Sequence, residues 1–326
     1  MELEGKRFLV TGGAGFIGSH VVTELLKYPV KEVIIYDNFA RGKVSNLTNQ
    51  LQDSRCNIFP DGGDIRDLDV LTNALEGVDG VFHLSAMWLL HCNQYPRTAF
   101  DVNIAGTFNV LDACVRTGIK RLVFSSSASV YGDAVEIPMT ENHPLNNSNF
   151  YGATKIAGEA MCRAFYDSYG LEYVGLRYMN VYGPNQDQTA AYTGVIPIMF
   201  NKIESGETPE INGDGSQAYD FVSVTDVARC NVLAMVNTNV DEFYNVGTGI
   251  QTSIQELCDL ILDITKSKIK IRFKPYSDSD KRRFVQNRIG STDKAEKELK
   301  FQARINLREG LTKLFAWRND SRNSSI

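Results

Sequence analysis

The sequence predicts an α/β protein with a Rossmann-like, doubly wound parallel sheet and a smaller C-terminal lobe. Three observations carry this expectation. Short, continuously apolar runs alternate with helical patterns through the first half of the chain, as strands covered on both faces by crossover helices require. A glycine-rich turn, Thr11-Gly12-Gly13-Ala14-Gly15-Phe16-Ile17-Gly18, stands between the first such run and the first helix. After Asn180 the alternation stops, and turn-rich segments separate shorter elements. The 326 residues suffice for one large or two modest domains with a real core.

Taken in order, Phe8-Leu9-Val10 reads as a strand, about Phe16 to Lys27 as a helix, and Glu32 to Tyr36 as the second strand. A third short strand precedes Asp61-Gly62-Gly63-Asp64-Ile65-Arg66-Asp67, and Leu68 to Leu75 has helical spacing. Gly80 to Leu84 is the next strand, followed by a helix around Ala99–Arg116 and a strand at Arg121 to Phe124. A helix opening near residue 150 leads to the strand Tyr173 to Leu176. Tyr182 to Asn185, Asn212 to Gly215 and Pro275 to Asp280 are turn-rich. The expected division is a first domain over 1–181, rejoined by about 218–248, and a second lobe drawn mainly from 182–326. The polar end, Asn319 to Ile326, is expected to fray.

Composition narrows the classes. Apolar content of 43%, charged content of 22% and a net charge of -5 describe an ordinary soluble protein. No Lys/Arg cluster is dense enough for nucleic acid, and Lys281-Arg282-Arg283 reads as a solvated loop. Cys56, Cys92, Cys114, Cys162, Cys230 and Cys258 are scattered, with no His at ligand spacing. They read as small hydrophobes in a reducing compartment, and no metal is expected. The charged start, Met1 to Arg7, does not resemble a signal peptide, and no apolar run approaches the roughly 20 residues of a membrane span. The cytoplasm is the expected location.

The glycine turn is the first chemical signal. Gly12, Gly15 and Gly18 allow a tight turn, close backbone approach to a pyrophosphate, and close helix–strand packing, with Phe16 and Ile17 opening the helix. Asp37, followed by Asn38, ends the second strand about 20 residues on, where a carboxylate accepts ribose hydroxyls and repels a 2′-phosphate. NAD is therefore expected over NADP, a preference that nearby Arg41 weakens. Asp64, with Ile65, reads as an adenine contact and as the cap of the next helix, and both can hold at once. A second signal is Tyr151-x-x-x-Lys155, which one helical turn carries to the same side. It reads as a chance surface pair or as a phenol whose pKa an ammonium lowers for acid/base work.

These two signals, with Ser125-Ser126-Ser127-Ala128-Ser129-Val130-Tyr131-Gly132, His83 to Ala86, Val102-Asn103, Leu176 to Pro184 and Asn212 to Phe221, resemble the nucleotide-sugar epimerases of the extended short-chain dehydrogenase/reductase family. The likeness covers nearly the whole chain. It implies that Tyr151 transfers the proton, that Lys155 holds the nicotinamide ribose and depresses the phenol's pKa, and that Ser127 hydrogen-bonds the sugar hydroxyl. It implies that Leu84, Ser85, Ala86, Asn103, Ser125 and Tyr178 line bound NAD, that Asn180 bonds the substrate's pyrophosphate, and that the C-terminal lobe binds substrate. A homodimer built on helices such as 99–116 and 150–169 is the family's habit.

Within the family, dehydrating members carry an Asp-Glu pair after the Ser/Thr, and decarboxylating members usually keep the Glu. Here Ala128 and Ser129 stand there, which favours epimerisation of a nucleotide sugar, a UDP-hexose at its 4-position, through a transient keto intermediate. Dehydration or decarboxylation is the alternative. A non-catalytic NAD sensor is less favoured, since Ser127, Tyr151 and Lys155 are all present. The family's Arg ahead of Asp-Phe is Tyr219 here, and its Arg-Pro-Gly-Asp is replaced by Lys281-Arg282-Arg283-Phe284. Arg288 is expected to supply the missing charge to the pyrophosphate. Met87, Trp88 and Leu89 follow a strand whose end reaches the substrate pocket, and they either shape it or pack against the second lobe.

Overall fold

The computed structural model describes residues 1–187, 194–275 and 285–323, with side chains through 320. Seven parallel strands form the central sheet. They are β1 (Arg7–Thr11), β2 (Glu32–Tyr36), β3 (Cys56–Ile58), β4 (Gly80–His83), β5 (Arg121–Ser127), β6 (Glu172–Tyr178) and a late strand, Glu242–Val246, in the spatial order β3-β2-β1-β4-β5-β6 and then the late strand. The sheet is thus closed at one edge by chain that returns after the second lobe.

Successive strand residues point to opposite faces, so an apolar run supplies two cores at once. Phe8, Val10, Val33, Ile35, Phe82 and Val123 pack on one side with α1 (Phe16–Leu25) and with the helix Val224–Val236. Leu9, Ile34, Tyr36, Val81, Leu122 and Phe124 pack on the other with α2 (Leu68–Ala74) and the helices Gly106–Thr117 and Phe150–Tyr169. Tyr182, Phe200, Ile211, Leu257, Ile261 and Leu311 gather into a separate cluster in the C-terminal part.

Three sequence expectations change. The helix foreseen over Ala99–Arg116 is interrupted: Pro96–Ala99 is α-helical, Phe100–Ala105 is π-helical, and Gly106–Thr117 is α-helical again. The cap of α2 is Asp67, which accepts from Val70 N–H at 3.1 Å, and not Asp64. The polar end is helical past Asn319, in the last helix, Leu307–Asn323, which buries Leu311 and Leu314 and pairs Arg318 with Glu204 at 2.5 Å, while 324–326 lie outside the described residues. Lys281-Arg282-Arg283-Phe284 and most of the turn-rich Pro275 to Asp280 lie outside the described residues.

The C-terminal part consists of short pairs. Asn180–Tyr182 runs parallel to Phe221–Ser223, Glu210–Asn212 to Arg272–Lys274, and Ala218–Tyr219 to Asn287–Arg288. Asp220 ties them to the sheet. Its buried carboxylate accepts from the backbone N–H groups of Thr248 and Gly249 and from the Thr248 hydroxyl. Its carbonyl accepts from Asn180 N, and its N–H donates to the Arg288 carbonyl. Among the described residues, no helix is long and apolar enough to cross a membrane, and no cluster of His, Cys, Asp and Glu suits a metal.

Candidate active site

The glycine turn folds as its residue types demand. Gly12 has φ +68, and its missing side chain lets the Leu84–Ser85 backbone lie against it, where a Cβ would stand 3.0 Å from Ser85 N. A Cβ at Gly18 would lie 2.1 Å from the Gly12 carbonyl oxygen, so only glycine lets the helix start so near the strand end. Gly15 caps α1 without any side-chain bond, which leaves the first N–H groups, including those of Phe16 and Ile17, for an anion.

Asp37 sits at the end of β2, buried, with one oxygen accepting from Ala14 N–H at 3.0 Å and the other from Phe39 N–H at 2.9 Å. Burial raises its pKa, and those backbone donors oppose the rise. Gly42 and Gly63, which sequence reasoning passed over, allow the chain to close around it: a Cβ at Gly42 would meet its carboxylate at 2.7 Å, and one at Gly63 its backbone at 2.2 Å. Arg41 turns away to Asp187 (3.4 Å) and stacks over Trp88. Asp64 holds Arg66 at 2.6 Å and accepts from Asn38 Nδ2 at 3.3 Å, and Arg66 keeps its pKa down at about 2. Ile65 is buried beside Gly106. The glycine cradle, the uncapped helix start and the recessed carboxylate together fit a dinucleotide.

Beyond β4 the chain is held from two sides. Thr11 Oγ1 accepts from the Leu84 and Ser85 N–H groups and bonds His83 Nδ1 at 2.8 Å. Burial keeps His83 neutral, with its pKa down at about 3. Asn103 accepts from Met87 N–H at 2.7 Å and donates to the Met87 carbonyl at 3.0 Å and to Thr154 Oγ1 at 3.1 Å. Its amide therefore fixes the strip Leu84-Ser85-Ala86-Met87 in position, a use that its pairing at long sequence separation hides. Trp88 caps the short helix Leu89–Gln94, its buried Nε1 lacks a partner, and His91 packs against Trp88 and Tyr95.

Asn149 caps the helix Phe150–Tyr169 by accepting from Gly152 N–H at 2.8 Å, which sets Tyr151 in its first turn and Lys155 in its second. Ser127 lies close enough to Tyr151 to act on its phenol, and Ser127 Oγ accepts from Ser129 N–H at 3.1 Å. Lys155 Nζ donates to the Ser125 carbonyl at 2.7 Å and lies 5.7 Å from the centre of the Tyr151 ring. Tyr178, buried, gives its hydroxyl to Asn231 Oδ1 at 2.9 Å and also bonds Ser125, so its polar end is engaged within the protein. The pair thus stands beside the serine run, Lys155 buried and Tyr151 half-buried.

One expectation is corrected. The Tyr151 pKa is raised on balance, not lowered. Burial pushes it up to about 12, against lowering by Ser127 and by the charge of Arg288. Lys155 is not among these influences; burial holds its own pKa down at about 8. Cys92, buried nearby, gives its thiol to the Met87 carbonyl at 3.3 Å, and nothing in its spacing announced this.

Beneath the site lies a buried ion pair. Arg177 donates to Glu159 from Nε at 2.9 Å and Nη2 at 2.7 Å, Ser126 Oγ donates to the same carboxylate at 2.5 Å, and Arg177 reaches Tyr131 and the Glu141 carbonyl. On the substrate side, Asn180 gives its N–H and its Nδ2 to the Asp220 carbonyl. Tyr219 gives its hydroxyl to the Val285 carbonyl at 2.7 Å. Arg288 stands level with Tyr219 on the neighbouring strand, and its Nε is buried without a partner.

The model of the NAD dependent epimerase/dehydratase family matches residues 8–247. A UDP-glucose 4-epimerase of Mycolicibacterium smegmatis is 34% identical over 312 residues, 94% of this chain and 96% of that one. The solved UDP-N-acetylglucosamine 4-epimerase of Methanobrevibacter ruminantium, in complex with UDP-N-acetylmuramic acid, superposes with a TM-score of 0.90 at 32% identity, covering 98% of this chain and 99% of that chain. The dTDP-glucose 4,6-dehydratase of Streptomyces venezuelae, solved with NAD bound, superposes at 0.89 with 30% identity, covering 98% of each. An epimerase and a dehydratase are about equally similar, so the residues around Tyr151 must decide between their chemistries.

Proposed function

The chain belongs to the NAD-dependent epimerase/dehydratase family, and from that premise we propose that it inverts the 4-position of a UDP-hexose through a transient keto sugar. The observation that carries this reading is the turn after Ser127. Its next residues, Ala128 and Ser129, are buried and carry no carboxyl group, and the charge acting on Tyr151 is that of Arg288. Loss of water or carbon dioxide from a keto sugar calls for an acid or base that these residues do not offer.

In this reading Tyr151 takes the proton of the sugar hydroxyl, and Ser127 shares a hydrogen bond with that hydroxyl to orient it. NAD supplies the hydride acceptor and a positive ring. Lys155, anchored by the Ser125 carbonyl, retains further N–H donors for a ribose. Gly12, Gly15, Phe16, Ile17 and Gly18 hold the pyrophosphate of NAD. Asp37 and Asn38 meet its adenosine ribose, Asp64 and Ile65 its adenine, and Leu84 to Ala86 its nicotinamide side. Asn103, Ser125 and Tyr178 keep that wall in position. Met87, Asn180, Tyr219 and Arg288 serve the substrate, Arg288 as the cation for a substrate anion. We assign residues 1–181 with about 218–248 to the dinucleotide domain and 182–326 mainly to the substrate lobe. A homodimer would use the aromatic strip of Phe108, Phe165 and Tyr169, in which Phe108 and Tyr169 are exposed.

The test is incubation with a panel of UDP-sugars, with products resolved by chromatography and weighed. A product of unchanged mass is expected. Tyr151→Phe should bind NAD as wild type does and lose about 10²–10⁴-fold in turnover, the usual worth of a positioned acid/base. A product lighter by water or carbon dioxide would overturn the assignment.

A further inference from the structure

Arg288 carries a guanidinium whose Nε is buried, at a place where charge is costly. Its strand, Asn287–Arg288, is fixed on every side by backbone bonds. Ala218 N–H donates to the Gln286 carbonyl at 3.0 Å, Asp220 N–H to the Arg288 carbonyl at 3.0 Å, and Met139 N–H to the Ile289 carbonyl at 2.8 Å. The Gln286 N–H donates to Asp133 Oδ1 at 2.8 Å, and this exposed carboxylate acts on the guanidinium by its charge without forming an ion pair with it. Residues 286–291 therefore run beside 133–139, the chain that continues directly from the Ser127 turn. That backbone path brings the guanidinium to the side of the Ser127 turn, within electrostatic reach of Tyr151. Its Nε is buried and unpartnered, and among the described residues it forms no ion pair. A guanidinium held this way is stable only when an anion completes it, and its planar fork matches a carboxylate through two parallel bonds.

We propose that Arg288 binds a carboxylate carried by the sugar ring, so that the substrate is a nucleotide-linked uronic acid or a similarly acidic sugar in place of a neutral hexose. This rests on the reading of Tyr151 as the proton-transfer group, because it is that reading which puts the sugar beside Arg288. A neutral sugar offers hydroxyl acceptors but leaves the buried charge uncompensated. The pyrophosphate offers the same oxyanion chemistry from another part of the ligand, and the experiment separates the two.

Wild type, Arg288→Gln and Arg288→Lys are titrated with UDP, UDP-glucose and UDP-glucuronate by calorimetry in the presence of NAD, and turnover of both sugars is measured. Wild type should favour UDP-glucuronate over UDP-glucose. Arg288→Gln should lose about 10- to 100-fold in affinity for UDP-glucuronate, the range for a hydrogen bond to a charged group, while UDP binds within about threefold of wild type. Arg288→Lys, which keeps the charge and loses the fork, should fall between and serves if the Gln variant does not fold. An equal loss for UDP would mean that Arg288 holds the pyrophosphate, and a wild-type preference for UDP-glucose would equally overturn the proposal. If wild type binds UDP-glucuronate preferentially but converts neither sugar, Arg288 stands and the epimerase reading fails.

Discussion

Removing one charge from the ion pair beneath the site should cost a large part of the protein's stability. Glu159 and Arg177 are each 5% exposed at the side chain, and the carboxylate receives two N–H bonds from Arg177 and one O–H bond from Ser126. Glu159→Gln preserves shape but turns one oxygen into an NH2 group that faces a guanidinium, leaving Arg177 buried without its counter-ion. Breaking a buried pair from one side costs about 3–5 kcal/mol. Set against a typical folding stability of about 5–15 kcal/mol, that is a third or more of the total. Urea unfolding of wild type, Glu159→Gln, Arg177→Met and the double variant measures it. With an unchanged urea slope, the midpoint should drop sharply in each single variant. The double variant should be less damaged than the sum of the singles, since it buries no lone charge. A loss below about 1 kcal/mol for Glu159→Gln, or strict additivity in the double, would refute the argument.

Two further outcomes follow from the site. NAD should bind more tightly than NADP, because a 2′-phosphate about 4 Å from the Asp37 carboxylate meets a repulsion on the order of 4 kcal/mol at an effective dielectric of about 20. Asp37→Asn keeps an acceptor for the backbone and should narrow the affinity ratio at least about tenfold, which calorimetry with both cofactors checks; an unchanged ratio would remove Asp37 from the selection. Burial holds Lys155 at about 8 against an ordinary 10.5, so between those values the unfolded chain keeps a proton that the folded chain has lost, and stability rises with pH across that window. Lys155→Met should lack this rise, and parallel stability curves for the two proteins from pH 8 to 10 would count against it.

The sheet was legible because its signal is local. Glu32–Tyr36 is an unbroken apolar and β-branched run, and its bounds in the structure are those expected from sequence. The glycine turn was legible for the same reason, since Gly18 answers to Gly12 and Gly13, a few residues away. What escaped is pairing across long separations. Asn103 meets Met87 and Thr154, Asp220 meets Asn180, Thr248 and Arg288, and Gly63 packs on Asp37, and none of these pairs shares a periodicity. The π-helical turn at Phe100–Ala105 escaped because apolar spacing there still averages to a helix. The direction of the Tyr151 shift escaped because spacing reveals which groups are neighbours but not how deeply they are buried.

The bonds of Asp220 have a mechanical consequence. A lobe joined to a sheet by one linker can swing as a door does, but this one is fastened where the chain passes at 180, 248, 249 and 288, all bonded to Asp220, a residue with no solvent exposure. A rigid rotation large enough to admit a nucleotide sugar would have to stretch several of these fastenings together. The bonds around Asp220 therefore oppose a hinge-like swing and favour movement at the rim of the cleft over movement at its floor. Remote substitutions that loosen Asp220 would be felt as play in the floor, blurring the distance between Arg288 and Tyr151 on which any choice of sugar depends.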